Sequence, residues 1–202
     1  MSQELETTLC AVRKSYRLLY DYHQRVQSTI DQIASILGLN FYRWESAVSK
    51  PKGGSNLHNR WTWDAFPQLE YSALFARSLD LISTPVVGDF LFEIRLQTDS
   101  SIFEQGYKTE PDPHQTAADK AETQLVICIW VCNEMPKGDS ESFDTIWNYS
   151  DYPATENSFF PLETDYGGFS VMKVTKRFSA LSNDKKIIEF SNQIKAALDK
   201  LV

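Results

Sequence analysis

The chain is short of the features that announce a chemistry or a location. Cysteine is scarce: Cys10, Cys128 and Cys132 make an odd number with no C-x-x-C pair among them. That argues against a disulfide framework and fits three free thiols in a reducing, cytoplasmic setting. Histidine is scarce and scattered, at His23, His58 and His114, and no G-x-S-x-G or H-E-x-x-H pattern occurs. No apolar run approaches the roughly 18–20 residues that span a bilayer, so no membrane segment is expected. The polar, acidic start MSQELETTLC does not read as a signal peptide. A basic surplus is also missing. The net charge of −7 argues against direct nucleic-acid binding, which calls for a basic face. Repeats and low-complexity tracts are absent.

What remains is ordinary globular material in 202 residues, 42% hydrophobic and 23% charged, enough for one domain with a proper core. Its organising stretch runs from Leu5 to Leu37. Leu5, Leu9, Val12, Tyr16, Leu19, His23, Val26, Ile30, Ile33 and Leu37 recur in alternating steps of four and three. Such steps put every member on one stripe of a helix, here roughly 50 Å long at the usual rise per residue. Ser2 and Glu4 suit its start, and Gly38 with Asn40 its end. The flanking positions are mostly uncharged, and Tyr20, Tyr22 and Ile36 widen the stripe. This favours packing on the protein's own body, with self-association through residues 5–37 as the alternative. His23 reads as a satisfied, partly buried histidine rather than a ligand.

After residue 40 the period changes from helix to strand. Asn40–Val48 alternates well enough for a first strand. Residues 49–60 (SKPKGGSNLHNR) read as a basic loop that lacks the spacing of a phosphate-binding P-loop. Trp61–Phe75 predicts a second strand. Asp89–Gln97 (DFLFEIRLQ) is the cleanest, with Phe90, Phe92, Ile94 and Leu96 on one face and Asp89, Leu91, Glu93, Arg95 and Gln97 on the other. Its polar face is expected to meet solvent or line a groove. Gln124–Val131 is apolar on both faces, which places it centrally in the sheet. Phe169–Phe178 precedes a last helix over about 183–201, with Ser182 or Asn183 as cap. The fold expected is α+β: a long N-terminal helix (1–38), a β-rich body (40–178) with a mainly antiparallel sheet of about five strands, and a C-terminal helix (183–202).

Two groups of residues could carry function. Residues 134–168 hold eight carboxylates against Lys137 alone, together with seven aromatic residues. Disordered acidic tails are poor in aromatics. Rings set among carboxylates suit a surface that binds a basic protein, through Asp139, Glu141, Asp144, Trp147, Tyr149, Asp151, Tyr152 and Glu156. The competing reading is a long connection tucked onto the sheet with its acids in solvent. Calcium-loop spacing is absent. The second group is Asp89, Glu93 and Arg95 on one strand face, where two carboxylates and a cation could hold Mg²⁺ and a phosphate. It resembles a metal-dependent nuclease pattern only loosely, because an arginine stands where a lysine would serve as base. Cys128 and Cys132 lie in an apolar strand and are poor candidates for nucleophiles or metal ligands. The expectation is a non-catalytic interaction protein without cofactor or metal, acting as adaptor, inhibitor or assembly component. A small metal-dependent phosphodiesterase and a homodimeric structural protein are the alternatives.

Overall fold

The structure, a computed structural model, describes residues 2–46, 69–105, 110–136, 142–162 and 168–199. The predicted basic loop 49–60 and the start of the predicted second strand lie outside these residues, as do Asp139 and Glu141.

The first element is a single helix, α1 (Ser2–Leu37). Its end is set by backbone geometry. Gly38 has φ +68°, its N–H bonds the Ser35 carbonyl at 3.1 Å, and the Leu39 N–H bonds the Ala34 carbonyl at 3.0 Å. This left-handed stop satisfies two carbonyls that the helix would otherwise leave bare.

Strands β1 (Asn40–Ser46), β2 (Glu70–Ala76), β3 (Phe90–Gln97) and β4 (Gln124–Cys132) follow as a meander, with a one-turn helix, α2 (Ser100–Glu104), between β3 and β4. A short helix α3 (Phe143–Tyr149) and a three-residue strand β5 (Phe159–Pro161) come next. Strand β6 (Phe169–Arg177) then pairs with β4 on one side and β5 on the other. The order is β1-β2-β3-β4-β6-β5, all antiparallel. Helix α4 (Asp184–Leu198) closes the chain, with the Asn183 side chain accepting from the Lys186 N–H at 3.1 Å.

The α+β fold is as expected, with six strands among the described residues where about five were predicted. The extra strand is β5, too short for a period of two to be visible. The acidic connection also contains a helix. Ser142 caps it by accepting from the Thr145 N–H, and Phe143 and Ile146 lie one turn apart on its buried side.

The sheet is covered on both faces. On one, Val26, Ile30 and Ile33 of α1 and Ile187, Phe190, Ile194 and Leu198 of α4 pack on Phe90, Phe92, Ile94, Leu96, Leu125, Ile127 and Ile129. On the other, Phe143 and Ile146 of α3 pack on Leu74, Leu91, Cys128, Trp130 and Phe169. Strand β4 is buried along almost its whole length, as a strand with two apolar faces requires.

Candidate functional site

The polar face of β3 is covered rather than solvated. Glu93 lies between Leu74 on β2 and Cys128 on β4 and is fully buried. The connection after α3 passes over it, and there the Tyr152 hydroxyl donates to Glu93 Oε1 at 3.0 Å. Ser72 and the Trp147 indole lie beside the same carboxyl, while Oε2 is left without a hydrogen bond. Burial pushes Glu93 above the ordinary carboxylate range, and Ser72 and Arg95 offset only part of the effect. Burial, followed by the nearby Glu93, likewise pushes the Tyr152 hydroxyl up.

Arg95 is turned to a different carboxylate. Its Nε donates to Glu70 Oε1, and its guanidinium stacks 5.0 Å over the Tyr152 ring. Burial works against the Arg95 charge, but the Glu70 carboxylate outweighs it and holds the guanidinium firmly protonated. Asp89 lies outside this cluster. It closes the turn before β3, where its Oδ2 accepts from the Val86 N–H at 2.8 Å. Four residues of extended chain put it about 13 Å from Glu93. Asp89, Glu93 and Arg95 therefore do not converge. Of the face expected to meet solvent or line a groove, Glu93 does neither, being buried under the 142–162 connection, while Arg95 lines a groove. A cleft of about 240 Å³ remains at the β1 side, lined by Glu45, Ser46, Ser72, Arg95, Trp147 and Tyr152 among others. Among the described residues no three His, Cys, Asp or Glu side chains form a group that could hold a metal ion.

The acidic, aromatic segment has a mixed placement. Asp144 accepts from the Tyr42 hydroxyl at 2.7 Å and pairs with Arg43 at 3.2 Å, and Arg43 stacks between the rings of Tyr42 and Trp147. Trp147 and Tyr152 thus serve the protein's own packing on the sheet. Tyr149, Asp151 and Glu156 remain exposed, Glu156 with a long contact to the Thr175 N–H, and Tyr152 keeps 37% of its surface in solvent. The Cys128 thiol is fully buried, and burial together with Glu93 pushes it well up.

A third feature was legible as a pattern but not as a surface. The apolar stripe of α1 is continuous in sequence, yet its two halves have different fates. From Tyr22 onward α1 lies on the body: the Tyr22 hydroxyl meets Thr98 at 3.2 Å, Arg25 donates to the Leu181 carbonyl, and Val26 is fully buried. His23 is partly buried, as expected, with its pKa lowered by burial, but it is not satisfied, because its Nδ1 is buried with no partner among the described residues. Residues 3–21 project past the body and, apart from the half-buried Cys10, are exposed.

These features define an α+β protein with a six-stranded antiparallel sheet, a roofed polar cluster and a projecting N-terminal helix. No helix among the described residues is long and apolar enough to cross a membrane. The chain belongs to the PM0109 family, whose pattern matches residues 2–200. No curated protein and no solved structure matches it.

Proposed function

We propose that this protein works by associating with another macromolecule, and that the projecting half of α1 is the surface it uses. One observation carries the reading. Leu5, Leu9, Val12, Tyr16 and Leu19, with Tyr20 beside them, are all exposed on one side of a twenty-residue half-helix, from 39% at Leu19 to 65% at Tyr16. Single exposed apolar residues are normal, whereas a contiguous run of this size marks an interaction site. A helix of this length with no packing also has little to stabilise it beyond its own hydrogen bonds, so a covering partner suits it. Tyr149, Asp151 and Glu156 would be the exposed contacts of a basic partner on the acidic connection, as a secondary surface.

The test is photo-crosslinking in the native host, with a photoreactive side chain at Val12 and, as control, at Ile188 on the exposed side of α4. The reading expects a discrete adduct from position 12 and none from 188. Equal labelling from both positions, or none from 12, overturns it.

A further inference from the structure

Resting on that reading, we propose that the stripe is covered by the same stripe of a second copy of this chain, running antiparallel. The projecting segment matches itself in reverse. About the midpoint between Cys10 and Ala11, Leu5 falls opposite Tyr16 and Leu9 opposite Val12 of the second copy. Every apolar residue of the seam from Leu5 to Tyr16 thereby meets an apolar residue. The segment is also the right length. Residues 2–21 span about 30 Å, and antiparallel pairing over this span ends where each helix meets its own body at Tyr22. The two bodies then lie at opposite ends of the seam and do not collide.

Charge selects the same arrangement. Glu6 and Arg13 both flank the seam, two turns apart, and within one chain they pair with each other at 2.6 Å while remaining largely exposed. Residues of this flank face each other across an antiparallel pair of helices. Glu6 of each copy therefore lies beside Arg13 of the other, giving two complementary contacts per dimer. A parallel pair would set Arg13 beside the uncharged Thr8 instead. It would also carry both bodies at one end, where Val26, Ile30 and Ile33, the next residues of the stripe, are already buried against the sheet.

The test uses full-length E6R and R13E chains, alone and mixed, in sedimentation equilibrium beside the wild type, with circular dichroism to confirm folding. Each variant alone sets like charges at both contacts and is expected to dimerise on the order of tenfold more weakly. Mixing the two restores opposite charges at both contacts and is expected to return the affinity to near the wild-type level. A wild-type dimer that both variants match overturns the antiparallel pairing. A monomeric wild type that still crosslinks from Val12 to a different molecule overturns self-association and leaves the proposed association standing. A monomer with no crosslink at all overturns both.

Discussion

The Tyr152 hydroxyl donates to Glu93 at 3.0 Å, and with the bond from the Trp130 indole to Ser150, also 3.0 Å, it joins the acidic connection to the centre of the sheet. Ring contact adds to it, since Tyr152 also meets Trp130 edge-on at 5.8 Å. Replacing Tyr152 with Phe keeps the ring and removes the donor from a fully buried carboxyl. The expected loss is about 1–3 kcal/mol in urea unfolding. The exposed Tyr149, changed in the same way, is expected to stay within about 0.5 kcal/mol of wild type.

Glu93 gives the fold a pH dependence. Burial holds its native pKa above the ordinary 4.5, so the unfolded chain releases this proton first as pH rises. The group's contribution is therefore complete below about 4.5 and is lost as pH climbs through the native value. Glu93→Gln removes the titrating proton. Denaturant midpoints of the variant, measured from pH 4.5 to 8, should fall less steeply than those of the wild type. An unchanged slope would mean that Glu93 ionises normally in the folded state.

Helix α3 seals the second core through Phe143, which is 1% exposed and meets Phe169 edge-on at 5.7 Å. Phe143→Ala should cost about 3–5 kcal/mol. It should also loosen the cover over Cys128 and Cys132. In the native wild type a thiol reagent should label Cys10 well before the other two, which are fully buried. In the variant, mass spectrometry of labelled peptides should show Cys128 and Cys132 reacting faster.

Periodicity made the regular elements readable. The alternation of Phe90, Phe92, Ile94 and Leu96 marked β3, and the two apolar faces of Gln124–Val131 marked the central strand. The signal for α3 was present in the Ser142 cap and the Phe143–Ile146 spacing, but seven residues amid acids are a weak pattern. The polar cluster was legible only as a strand face. Its roof comes from Trp147 and Tyr152, and nothing local ties residue 152 to residue 93. The fate of the α1 stripe was hidden for the same reason. Leu9 and Ile30 occupy equivalent positions in one repeat, and only the tertiary fold decides that Ile30 meets the sheet while Leu9 projects beyond it.

The projecting stripe is the centre of the account, and its most direct test is the mass of the native chain in solution. Sedimentation equilibrium of the wild type should give about twice 23.2 kDa. A Val12→Asp variant with an unchanged circular dichroism spectrum should give a single chain, because a carboxylate would then lie in the seam. A wild type that remains at 23.2 kDa at every concentration, or a Val12→Asp variant that associates as strongly as the wild type, would contradict the pairing of the stripe with a second copy.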